Sequence, residues 1–141
     1  MSTNSDREIN KHFFAIVGGV FASIAAAYLI NLILQKVFHI DLFTPAANQY
    51  GNADLKVLLG FGIWLFASSL VGGLACITIA GRNDVSHIII SSLVTLALYF
   101  FISGGGILKE SSFASWSILL AIPFGYFTGE WMGSGKQNNK G

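Results

Sequence analysis

Charge is scarce in this chain. Of its 141 residues only 11% are Asp, Glu, Lys or Arg, about half the share typical of a soluble domain. The formal net charge of +1 excludes the basic footprint of a nucleic-acid binder, so no nucleic-acid partner is expected. A single cysteine, Cys76, excludes an internal disulfide framework, and no Cys/His spacing suits a zinc site. The histidines lack a paired Asp or Glu at any diagnostic spacing, so no nucleophile–base–orienter set can be assembled. Gly104-Gly105-Gly106 is not followed by the Lys-Ser/Thr of a phosphate-binding loop, and reads as a helix cap and turn. Neither catalysis nor a cofactor nor a metal is expected.

Apolar residues are abundant instead. They make up 53% of the chain, the mean hydropathy is +0.64, and they fall into four long blocks. A bilayer core about 30 Å thick needs about 20 mainly apolar residues as a helix. The blocks predict helices over 13–37, 57–80, 85–102 and 113–132, with only Lys36 and Glu130 charged within them. They are apolar on every face, which excludes the alternating pattern of an outer-membrane barrel. The first block is longer than a signal-peptide core and follows a mixed-charge stretch, so it reads as an uncleaved span. The expected fold is therefore an all-α membrane protein, a four-transmembrane-helix bundle forming one domain over 13–133. Short loops join its helices, and residues 1–12 and 134–141 form polar tails.

Between the first two helices, Thr44-Pro45 and the later Gly51 predict a short interfacial helix. Gly81-Arg82-Asn83-Asp84 predicts a tight turn. With both termini inside, Arg7, Lys11, Arg82, Lys136 and Lys140 lie on the inner side, against Lys36, Lys56 and Lys109 outside. That excess makes both termini cytoplasmic in a multi-pass protein of the cell membrane.

Small residues recur at intervals of four. The first helix carries Ala15, Gly19, Ser23 and Ala27, continuing to Asn31 and Gln35; the second carries Ser68, Gly72, Cys76 and Ala80, with Gly73 beside them. The fourth carries Ser117, Ala121, Gly125, Gly129 and Gly133. Such small-xxx-small stripes let helix backbones approach closely, so Gly19, Ser23, Ala27, Gly72, Gly73, Gly125 and Gly129 are the expected packing residues. The third helix has no glycine but presents His87, Ser91, Ser92, Thr95 and Tyr99, mostly at i, i+4 spacing. These hydroxyls either bond their own or a neighbouring helix, or line a wetted cavity. Pro123 predicts a bend near the middle of the fourth helix.

Ionisable groups within apolar spans are site candidates by default. Glu130 falls at the depth of Arg82, His87 and His12, which predicts either a proton- or cation-sensing cluster or an interfacial carboxylate that snorkels or pairs with Arg82. Asn31 is a further polar candidate, for a ligand or an interhelical hydrogen bond. Cys76, among apolar neighbours, is expected to be inert. Trp64, Trp116 and Trp131 fall where aromatic belts lie.

Gly72-Gly73 in a helix ending Ala80-Gly81-Arg82, then His87 heading the next, then Trp116 and Ile122-Pro123 before a glycine-rich end, carry a resemblance. Residues 70–132 resemble small bacterial four-helix inner-membrane proteins of uncharacterised function. That resemblance implies the fold and an inner-membrane location, and no activity. The functional expectation is a non-enzymatic packing, assembly or regulatory subunit whose partners are the lipid bilayer and a second copy or another membrane protein. The alternative is a small transporter or channel, its path lined by the third helix's hydroxyls and Glu130.

Overall fold

The computed structural model describes residues 4–38, 55–81, 85–102 and 119–138. Among them are four α-helices and no strand: α1 (Asn4–Phe38), α2 (Leu55–Ala80), α3 (Val85–Ile102) and α4 (Ala121–Asn138). Asn4–Val37 and Gly60–Ala80 are long and apolar enough to cross a membrane, and Val85–Phe101 is a shorter apolar helix. The expected interfacial helix, the turn at Arg82-Asn83-Asp84, the triple glycine, Trp116 and Ser117 lie outside the described residues.

Two boundaries differ from expectation. Residues 4–12 are helical rather than a polar tail, and α4 runs on to Asn138. Extending an existing helix adds a hydrogen bond per residue without a new nucleus, and Asp6 suits the positive end of the α1 dipole. A turn at Leu120 interrupts the described helical residues, three positions before Pro123, which sits in the first turn of α4. Residues 103–118, which decide whether this is the middle of a longer helix, lie outside the described residues. The Phe124 amide donates back to the Leu120 carbonyl at 3.3 Å across this break.

The four helices pack as a square. α2 lies along α1 on one side and α4 on the other, while α3 closes the fourth side against α1 and α4 and touches α2 only briefly. Gly19 opposite Gly72 makes α1 and α2 antiparallel; Gly125 at Phe66, Gly129 at Leu70 and Gly133 at Ile77 make α2 and α4 parallel. α2 ends at Gly81, whose φ of +69° is the left-handed cap that glycine adopts freely, its amide donating to the Ile77 carbonyl at 2.9 Å.

Both seams of α2 are built on missing side chains. A Cβ on Gly125 would lie 2.6 Å from the Phe66 carbonyl oxygen, and one on Gly72 would lie 2.7 Å from the Tyr126 ring. Gly73 and Gly129 meet backbone even more closely, at Tyr126 and Leu70 respectively. Any larger residue there forces the helices apart. Around these seams the buried apolar core gathers Ala27, Phe61, Trp64, Leu65, Cys76, Ile88, Tyr99, Ile122 and Tyr126.

Candidate functional site

Nine polar side chains of the described helices lie inside the bundle. Ser23, Asn31, Ser68, Ser69, His87, Ser91, Ser92, Thr95 and Glu130 are all buried. On α3 the residues His87, Ser91, Thr95 and Tyr99 recur every four positions, about 6 Å of helix rise per step. Each rung meets a different partner. His87 Nε2 faces His12 Nδ1 on α1 in a hydrogen-bonded pair, the ring centroids 4.2 Å apart. Ser91 Oγ meets Cys76 Sγ of α2 at 3.3 Å. The Thr95 and Tyr126 hydroxyls meet at 2.7 Å, and Tyr99 stands beside Ser68.

Tyr126 is the hub of this ladder. Its hydroxyl donates to the Gly19 carbonyl at 3.2 Å, so the Thr95 hydroxyl donates to it, and Ser23 lies beside it. One fully buried side chain thus joins α1, α3 and α4 while its ring covers Gly72 of α2. Gly72 is what makes room for that ring, so the small-residue stripe and the polar ladder form a single design. Tyr126 did not stand out in the sequence. Its signal is a phenol one position after a packing glycine, on the same helix face as Ile122 and Gly129.

Several hydroxyls bond their own helix: Ser68 donates to Leu65 O at 3.0 Å and Ser92 to Ile89 O at 2.9 Å. The hydroxyls of Ser23, Ser69 and Tyr99 are buried with no hydrogen-bond partner among the described residues. Burying an unmatched hydroxyl costs about 1–3 kcal/mol by protein mutational measures. Ser23 and Tyr99 have a hydroxyl neighbour in Tyr126 and Ser68 respectively, which leaves Ser69 as the clearest point of unmet polarity among the described residues.

Sequence candidates divide as follows. Gly19, Ser23, Ala27, Gly72, Gly73, Gly125 and Gly129 are all buried between helices of this one chain. Glu130 is buried too, within electrostatic reach of Cys76, and does not snorkel outward: α4 turns its face inward, in line with Tyr126 and Gly133. Arg82 lies outside the described residues. Asn31 is buried at the opposite end of the bundle from His87, about 28 Å along α1 from His12, and belongs to no cluster with it.

Two other residues differ from their sequence reading. Trp64 does not sit in an aromatic belt: it is buried, donates Nε1–H to the Ala27 carbonyl at 3.0 Å, and stands edge-on to Tyr99. Cys76 has polar neighbours, donating to the Ala15 carbonyl at 3.3 Å besides its contact with Ser91. The i+4 period places both on buried faces, but which helix they meet depends on the crossing geometry.

Where α1, α2 and α3 come together, a pocket of about 80 Å³ is lined by Glu8, Lys11, His12, Ala80 and His87. Among the described residues no group of three His, Cys, Asp or Glu side chains is arranged to hold a metal ion. Comparison with known proteins finds no matching family model, no matching curated protein and no matching solved structure.

Proposed function

We propose that this chain is a multi-pass integral membrane protein, crossing the bilayer four times with both termini on the inner side. It acts without catalysis, as an assembly or regulatory subunit. One observation carries the reading: the distribution of polarity is inverted relative to a water-soluble protein. The outward faces carry Phe21, Phe101 and Trp131 at 74%, 78% and 76% exposure, with Phe13, Leu29, Ile33, Ile63, Leu93 and Phe124 also exposed. Ser23, Ser68, Ser91, Thr95, His87 and Glu130 face inward. Lipid accepts the first set at no cost, whereas water would not.

The same geometry narrows the role. The small-residue stripes are occupied within the chain, so a partner meets the bundle on its outward apolar faces or at its polar ends. The chemistry on view among the described residues is helix contact. Crosslinking in native membranes tests this: a discrete dimer or heteromeric species is expected. A strictly monomeric, partnerless protein at every protein-to-lipid ratio contradicts it.

A second reading, a small transporter or channel, is favoured by the α3 ladder and the unmatched hydroxyls of Ser23, Ser69 and Tyr99. Its test is a proton- or ion-flux assay in liposomes, where flux abolished by Glu130→Gln and Thr95→Val supports a path through the interior.

A further inference from the structure

We propose that His12 and His87 form a proton-operated latch, closing one end of the bundle over Cys76 and opening when both rings become protonated. The inference rests on the reading of this chain as a membrane bundle and gives its regulatory role a ligand, the proton.

The first ground is how the start of α1 is held. Among the described residues before Ala15, His12 is the only one that is not exposed. Ile9, Phe13 and Phe14 stand outward. A contact that joins this overhang to α3 is the imidazole pair, Nδ1 of His12 against Nε2 of His87, with rings inclined at 34°.

The second ground is the chemistry of that contact. A neutral imidazole has one N–H and one bare nitrogen, so a pair with at most one added proton keeps a donor facing an acceptor. With both rings protonated, the two facing nitrogens are both donors. The acceptor is gone and two like charges stand ring to ring. Histidine is the side chain whose ordinary titration falls between pH 5 and 8.

The third ground is access. The pocket lined by Glu8, Lys11, Ala80 and both histidines is polar and, at about 80 Å³, large enough to admit water beside the pair. Of the charged groups around it, Glu8 and Lys11 of α1 oppose one another, and α2 contributes the uncharged Ala80, with Cys76 one turn below. On α4 the titratable groups described are Glu130 and, deeper, Tyr126. Neither carboxylate lies between the two facing ring nitrogens, where the acceptor is lost.

Opening has a defined consequence. Cys76 is clamped between the Ala15 carbonyl of α1 and Ser91 of α3, each within a turn of the latch. Separating α1 from α3 at this end cannot keep both contacts, so Cys76 loses Ala15 or Ser91 and its thiol becomes accessible, while the glycine seam between α2 and α4 holds the rest of the bundle together.

Cys76 is the chain's only cysteine and serves as the reporter. The full chain is placed in nanodiscs of phosphatidylcholine and phosphatidylglycerol. Its rate of modification by N-ethylmaleimide is divided by that of a free cysteine peptide at each pH. The normalised rate is expected to rise at least tenfold between pH 7.5 and 5.5. His12→Gln and His87→Gln, whose amide keeps an acceptor at every pH, are expected to give flat profiles. A flat wild-type profile, or variants that rise like the wild type, overturns the latch. Amide deuterium uptake over residues 4–14, corrected for intrinsic pH dependence, needs no variant. It should rise over the same interval while α2 and α4 stay protected, and a uniform rise in every helix overturns the proposal. Carbonate extraction of the source membranes reports separately on the membrane reading.

Discussion

Thr95 of α3 and Tyr126 of α4 share a hydrogen bond of 2.7 Å between their hydroxyls, at the level where the Tyr126 ring lies over Gly72. This is the point at which the bundle's two construction rules meet: backbones drawn together by glycine, and polar groups matched across helices in its interior.

Tyr126→Phe removes the bonds to both Thr95 and the Gly19 carbonyl, and Thr95→Val removes the first alone. Interhelical hydrogen bonds in membrane proteins average about 0.6 kcal/mol and reach about 1.7. Tyr126→Phe is expected to cost about 1–2 kcal/mol in detergent unfolding, and Thr95→Val about half of that. The double variant should cost less than their sum, because both remove the shared bond. Strict additivity in a double-mutant cycle would show that the bond does not form.

Gly129→Ala and Gly73→Ala should each destabilise strongly, by about 1–3 kcal/mol or more, because the added methyl meets backbone that has no side chain to move aside. Gly60 and Gly62 sit on the same helix as Gly73 with open space around them, so Gly60→Ala and Gly62→Ala should be neutral or slightly stabilising. Thermal midpoints of the four variants decide the matter. Equal tolerance at all four would place the glycine stripe of α4 against lipid.

These residues also mark what was legible in the sequence. The buried face of α1 is the stripe Ala15, Gly19, Ser23, Ala27 and Asn31, and a period of four sufficed to read it, although Gln35, its next member, is exposed. The α3 hydroxyl face was likewise a matter of spacing. What spacing does not encode is the neighbour. That Gly19 faces Gly72, that Tyr126 reaches across to Gly19, or that His12 meets His87 follows from which helices are adjacent and how they cross. Composition misled at Trp64 and Cys76, whose surroundings are set by the crossing helices rather than by their own blocks. At Pro123 the described residues show an interruption at Leu120, where the ring's missing N–H weakens the helical ladder, in the region where the sequence placed a bend.

Glu130 is buried, so its substitution should cost more than the roughly 1 kcal/mol at most associated with an exposed pair. Glu130→Gln is expected to lower the thermal midpoint by several degrees, approaching the loss of about 3–5 kcal/mol that follows breaking a buried ionic contact. Adding Arg82→Gln and His87→Gln one at a time identifies the group it acts on, since the true partner's variant rescues part of the loss. A change too small to measure would mean that the carboxylate reaches the headgroup region.

The central claim is that four apolar helices cross a bilayer with both ends of the chain on one side, and cysteine labelling in intact cells tests it most directly. A Cys76→Ser background removes the native thiol, and single cysteines replace Ser134, Asn139 or Asn48. An impermeant maleimide should label the Asn48→Cys protein in intact cells, and the Ser134→Cys and Asn139→Cys proteins only after the inner face is exposed. The reverse pattern would contradict the orientation, labelling of Ser134 and Asn48 from the same side would contradict the span count, and release of the protein by alkaline carbonate would contradict the membrane bundle itself.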